Sequence, residues 1–299
     1  MKWLRVRLVI QSILYCAAVI AYGIVQWPLA QPSQVAAAPG VALEAAPPVT
    51  SLSTPVPVQV PIKNMLTDPK KKIAVKPKGP TRGNILMYHY VRSGVDPAID
   101  PLGYRLSVTP QLLDAQLTAM QNAGYREISM EQYRAGEGSS RTVTLTFDDG
   151  YEDFYSAAYP ILTQHGWHAT AYIVSGFIGK KGYMTGPQVQ EIARAGMEIG
   201  VHTVDHNDLA HQSPDAQHHE IFDSKAAIER LIGKPTVAFC YPAGRYNDSA
   251  IASVTEAGFT SATTTEPGAA TTDSTKWYLL PRIRIGPSQS PQILLHNLY

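Results

Sequence analysis

The chain has 299 residues, 44% of them hydrophobic and 16% charged, which suits a folded protein with room for one large domain or two small ones. Residues 1–82 carry ten basic and two acidic side chains, a net +8; residues 83–299 carry 15 basic against 22 acidic, a net −7, and an acidic body argues against nucleic acid as a partner. Two cysteines, Cys16 in an apolar N-terminal run and Cys240 in the body, exclude a disulfide framework.

Lys2, Arg5 and Arg7 precede an uncharged stretch from Leu8 to Trp27. Twenty helical residues rise about 30 Å, the hydrocarbon thickness of a bilayer. Basic residues before the run predict a cytoplasmic N-terminus and a body outside the membrane. Residues 1–27 therefore read as an uncleaved signal anchor, with cleavage near Ala36-Ala37-Ala38 and secretion as the alternative. Residues 28–82 are rich in Pro, Ala and Val without a periodic apolar face, the composition of an extended, disordered linker.

The folded domain is expected over residues 83–299. Ile85-Leu86-Met87-Tyr88 reads as a buried strand ending at His89. Leu112, Leu113, Leu117 and Met120 mark a helix over 111–123, followed by a short strand at 126–129 and a short helix at 131–135. From Thr142 onward the pattern alternates. Strands are predicted at 142–147, 169–174, 197–202, 236–241, 259–264 and 281–285, and helices at 154–164, 186–195, 215–232 and 248–257. Gly166, Gly196 and Gly258 stand where helices should stop. Such alternation implies a parallel α/β sheet or barrel with its catalytic residues at the carboxyl ends of the strands.

Four clusters fall at those ends. Thr146-Phe147-Asp148-Asp149-Gly150 closes a strand with two adjacent carboxylates. Neighbouring side chains on a strand diverge, so a turn at Gly150 is needed to aim both acids into one cleft. One can then bind a cation while the other handles a proton, although the same five residues also spell an ordinary turn before a helix. His202-Thr203-Val204-Asp205-His206 places two imidazoles four residues apart, sharing one face if the segment is helical, and with Asp149 they make a two-His, one-Asp set that leaves metal positions open. Tyr241-Pro242-Ala243-Gly244 can turn backbone N–H groups toward an oxyanion, or serve as a plain strand-to-helix turn. His89 stands in the fourth.

In this order, T-F-D-D-G, H-T-V-D-H and the Tyr-Pro-x-Gly turn resemble the NodB-type polysaccharide deacetylases, carbohydrate esterase family four. The likeness spans roughly Gly83 to the C-terminus. It implies a distorted (β/α)7-type barrel and a divalent metal, zinc first, with Co2+, Ni2+ or Mn2+ as alternatives. It also implies removal of acetyl groups from an N-acetylated polysaccharide. Carried over, Asp148 is the general base, and Asp149, His202 and His206 are the metal ligands. Tyr241, Pro242 and Ala243 contribute to the oxyanion and substrate site. His89, on a strand that precedes the T-F-D-D-G strand, resembles the permuted acid of deacetylases acting on poly-β-1,6-N-acetylglucosamine. The alternative acid is His296 in Leu294-Leu295-His296. Cys240 occupies the place of a frequent family arginine, and Arg282 matches a downstream arginine that braces the base. Two other activities fit the same motifs: an O-acetyl esterase, and a non-catalytic glycan-binding relative.

Overall fold

The structure, a computed structural model, describes residues 82–271 and 276–298. The expected anchor over 1–27 and all of the expected linker over 28–82 except Arg82, which opens the first strand, lie outside the described residues. Among those described, no helix is long and apolar enough to cross a membrane.

Seven strands close a ring: β1 Arg82–Tyr88, β2 Thr142–Phe147, β3 Thr170–Ile173, β4 Glu198–Val201, β5 Ala238–Cys240, β6 Ser261–Pro267 and β7 Leu280–Arg284. Each pairs in parallel with the next, and β1 pairs with both β2 and β7 to complete the barrel. Closure is uneven. β4 meets β5 through Val201 and Phe239, and the register between β6 and β7 shifts between Leu280 and Arg282. This is a parallel barrel with outer helices, one of the two arrangements the alternation allowed, and its seven strands match the (β/α)7-type barrel that the resemblance implied. The strand expected at 126–129 is reduced to Arg126–Glu127, which pairs with the start of β2 rather than entering the ring.

Alternation of side chains explains why these strands are buried on both faces. Leu86, Leu145, Phe147, Ile173, Val201 and Phe239 point outward into the layer shared with the helices. Ile85, Tyr172, Ala238 and Cys240 point inward into a separate lumen cluster. The lumen is narrow enough that Gly200 is required on β4, because a Cβ there would lie 2.4 Å from the Tyr172 ring.

The helices begin where their caps dictate. Thr109 accepts from the Leu112 N–H ahead of Pro110–Asn122, whose buried stripe is Leu113, Gln116, Leu117 and Met120. Thr185 forms a capping box with Gln188 before Gly186–Arg194. Gly166, Gly196 and Gly258 all adopt positive φ at helix ends, as expected.

All carboxyl ends of the ring strands open on one mouth. His89 follows β1, Asp148 follows β2, His202 follows β4 and Tyr241 follows β5. Gly200→Ala is expected to push against Tyr172 and lower stability by about 1–3 kcal/mol, read as a reduced denaturation midpoint with an unchanged slope. An unaffected midpoint would show that the lumen yields freely.

Candidate active site

Arg282 is fully buried in the lumen and meets Asp148 in a fork. Nη1 donates to Oδ1 and Nη2 to Oδ2, both at 2.7 Å. Its remaining donors are also placed, Nε on the Thr264 carbonyl at 2.8 Å, Nη1 on Thr146 Oγ1 at 3.0 Å and Nη2 on Cys240 Sγ at 3.2 Å. Burial would raise the Asp148 pKa, but the Arg282 charge and hydrogen bonds outweigh it and hold the carboxyl below its usual range. The site thus contains a carboxylate that is buried, ionised and fixed in orientation.

Asp149 turns away from its neighbour because it adopts φ 74° itself, and Gly150 follows at φ 77°. The turn therefore starts one residue earlier than the glycine suggested. Its Oδ1 lies 3.3 Å from Nε2 of both His202 and His206, yet it is buried and has no hydrogen-bond partner. His202 is oriented by Nδ1, which faces the Cys240 carbonyl at 2.7 Å and leaves Nε2 free toward Asp149. One atom from each of Asp149, His202 and His206 lies within 4.8 Å of the others. The same holds for Asp148, His202 and Cys240, but the Arg282 fork already neutralises Asp148 and disfavours a cation there. Burial would push His202 down, whereas the neighbouring Cys240 and Asp149 hold it well above its ordinary value.

The two histidines do not share a helical face, as their spacing suggested. Residues 203–206 form a loop in which Thr203 has φ 69° and His206 φ 57°, and the His206 N–H donates to Thr203 Oγ1 at 3.0 Å. Glu220, which is buried, pins this loop. It accepts from the Val204 and Asp205 N–H groups at 2.9 and 3.0 Å and from Asn207 Nδ2 at 2.7 Å. Sequence reasoning missed Glu220. Its signal was there: Gln217, Glu220, Ser224 and Ile228 follow helical spacing on the buried face of residues 214–232.

His89 Nε2 lies 3.8 Å from Asp148 Oδ2. Burial lowers the His89 pKa, against the raising charges of Asp148 and Asp149. His296 stands elsewhere, exposed on the helix Pro291–Asn297, which packs on Pro110–Asn122 outside the barrel. Of the two histidines, the structure brings His89 to Asp148. Of Tyr241, Pro242 and Ala243, the first donates its N–H to the Thr263 carbonyl at 3.1 Å and the second has none. Ala243, at φ 52°, is the one of the three whose N–H no turn or sheet bond takes among the described residues. Tyr151 was also missed. Its ring stacks between Tyr90 at 3.8 Å and Tyr183 at 5.1 Å, forming an aromatic wall beside Asp149. Burial first, then the Asp149 charge, push its phenol up, so it stays a protonated donor.

A parallel seven-strand barrel with paired aspartates and a two-histidine loop at its mouth defines a hydrolase of the NodB type. The polysaccharide deacetylase family profile matches residues 135–262. YxkH of Bacillus subtilis (strain 168), assigned to the polysaccharide deacetylases, is 34% identical over 221 residues, 72% of this chain and 76% of that protein. The deacetylase PplD of Streptococcus pyogenes, solved in complex with acetate, matches with a TM-score of 0.69 at 34% identity, over 74% of this chain and 99% of that one. The poly-beta-1,6-N-acetyl-D-glucosamine N-deacetylase of Staphylococcus aureus (strain MRSA252) is 24% identical over 197 residues, 60% of this chain and 68% of that protein. This chain belongs to the polysaccharide deacetylase family.

Arg282→Gln would leave the Asp148 carboxylate buried without its counter-charge. A loss of about 3–5 kcal/mol is expected, measured by denaturant unfolding; a loss below about 1 kcal/mol would mean that the fork is not what holds the two strands' ends together.

Proposed function

We propose that this chain is a metal-dependent hydrolase that removes N-acetyl groups from an N-acetylglucosamine-containing glycan of the cell envelope or exopolysaccharide. The observation that carries this reading is the convergence on one Asp149 oxygen of two imidazole nitrogens, at 3.3 Å each, beside a second carboxylate held apart by Arg282. The glycan assignment leans on the Staphylococcus aureus relative, whose name specifies poly-β-1,6-N-acetylglucosamine. The +8 N-terminal part and its apolar run support an anchored protein with an extracytoplasmic catalytic domain.

Asp149, His202 and His206 fit a divalent cation, because a buried carboxylate oxygen without a hydrogen-bond partner faces two free imidazole nitrogens. Bound there, such a cation supplies Lewis acidity, polarising an acyl carbonyl and making water easier to deprotonate. Asp148 then acts as base. Its ionised, immobilised carboxylate takes a proton from water as the water oxygen bonds to the acetyl carbon. The Ala243 N–H is available for the oxygen that gains charge. An amide nitrogen departs readily only as an amine, so a proton must reach it as the C–N bond breaks. Burial keeps His89 neutral at rest, and Asp148, 3.8 Å away, holds the proton just removed from water. His89 takes that proton and passes it to nitrogen, leaving acetate and a free amine.

Asp148→Asn is expected to abolish acetate release while metal content stays near one equivalent. His202→Ala is expected to lose both, so elemental analysis of the two proteins separates base from ligand. Retained metal in the His202 variant would refute the assigned ligand set. Acetate release assayed on N-acetylated and O-acetylated glycans, with and without chelator, tests the reaction itself. Turnover confined to acetylated xylan would select the esterase alternative. His89→Ala should lower kcat by about 10²- to 10⁴-fold, the usual contribution of a positioned acid, and His296→Ala should leave it near the parent value. The reverse pattern would reassign the acid.

A further inference from the structure

β7 presents a second arginine to the mouth. Lumen-facing positions recur every second residue, so Arg284 follows Arg282 toward the opening, paired in register with Met87 just below His89. Arg284 is close enough for its charge to act on both Asp148 and His89. It is not needed to neutralise Asp148, whose two oxygens are already occupied by the Arg282 fork at 2.7 Å.

Arg105 reaches the same place from another part of the chain. It ends the short helix Pro101–Arg105, and Gly286 allows that backbone to approach β7, since a Cβ on Gly286 would lie 2.7 Å from the Arg105 carbonyl oxygen. Arg105 and Arg284 line one pocket together with Tyr104 and Ser288. Among the described residues no carboxylate lies within 4.0 Å of either guanidinium; Arg134, Arg141 and Arg194, which also lack one, donate instead to protein oxygens. Burial and the charges of Arg282 and Arg105 lower the Arg284 pKa despite the opposing pull of Asp148. Two cations without a carboxylate partner thus line one pocket in a body whose net charge is −7.

Like charges are seldom held together at a cleft without an anion to share, and arginine's planar fork suits phosphate and carboxylate oxygens. We infer that Arg105 and Arg284 form an anion subsite beside the reacting centre, and that the substrate is a glycan bearing a phosphate or carboxylate group on or next to the acetylated sugar. This deepens the deacetylase reading and rests on it. Arg105 and Arg284 would be specificity residues, touching the substituent and not the reacting bond.

The test compares three matched oligosaccharides containing N-acetylglucosamine: neutral, substituted with a phosphate monoester, and substituted with a lactyl carboxylate. For the parent enzyme, kcat/KM for acetate release should favour at least one anionic form over the neutral one by roughly 10- to 100-fold, the worth of charge-assisted hydrogen bonds. Higher salt should shrink that preference. Arg105→Gln and Arg284→Gln should each cut it, chiefly through KM, and the double variant should remove it, with lysine at either position restoring part. Which anion is preferred distinguishes phosphate from carboxylate. Equal kcat/KM on all three, or a preference that survives in the double variant, would overturn the inference. If no glycan releases acetate, the deacetylase reading fails instead. Calorimetric binding of the same three oligosaccharides to Asp148→Asn protein then still decides the subsite: tighter binding of an anionic form that the double substitution removes would support it, and equal binding would refute it.

Discussion

The arginine–carboxylate fork inside the barrel is the constraint on which the rest of the site depends. A carboxylate removed from water costs several kcal/mol unless it is paired and hydrogen-bonded. Here both oxygens of Asp148 are matched by one planar guanidinium, whose other donors reach a carbonyl, a hydroxyl and a thiol. The pair joins the end of β2 to β7, strands on either side of β1, and so fixes the mouth where the barrel closes. It also separates two adjacent acids by role. Asp148 is neutralised and anchored, whereas Asp149 keeps an unpartnered oxygen for something else.

Around that pair the backbone is held in conformations that cost energy. The four non-glycine residues with positive φ among those described are Asp149, Thr203, His206 and Ala243, and all stand at the mouth. Each conformation costs of order 1–3 kcal/mol and persists only where surrounding structure imposes it. Glu220 does so for the histidine loop, gathering two backbone N–H groups and the Asn207 amide onto one buried carboxylate. Cys240 acts similarly through its main chain, orienting His202 by its carbonyl while its side chain fills the space beside Arg282. A small thiol leaves room there for an arginine arriving from β7.

Much of this was legible beforehand. The run 142–147 was read with its observed limits, because Thr-Val-Thr-Leu-Thr-Phe combines β-branched residues with strict alternation, the threonines on one face and Val143, Leu145 and Phe147 on the other. The limits of the other strands lie within three residues of those expected; β1 and β6 extend beyond them where neighbouring strands supply partners at Asn84 and Pro267. The two-residue strand at 126–127 pairs with the start of β2 but stays outside the ring, which closes through β1 on the same strand. Asp148, Asp149, His202, His206 and Arg282 were all named from motifs, since strand ends in such folds face one mouth. Glu220 and Tyr151 were not, as nothing local distinguishes a buried glutamate on a helix, or a tyrosine after a turn, from their ordinary counterparts.

Local chemistry alone therefore determined the alternating elements, the helix stops at glycine and the identity of the acidic and imidazole groups, because each depends on neighbours within a few residues. Contacts between distant segments decided the remainder. Ring closure set His89 rather than His296 beside Asp148. Loop geometry, not a helical face, converged the two imidazoles. Approach of the Gly286 backbone to Arg105 put two arginines on one wall. In each case the partners are separated by tens to hundreds of residues, and only the packed barrel brings them within reach.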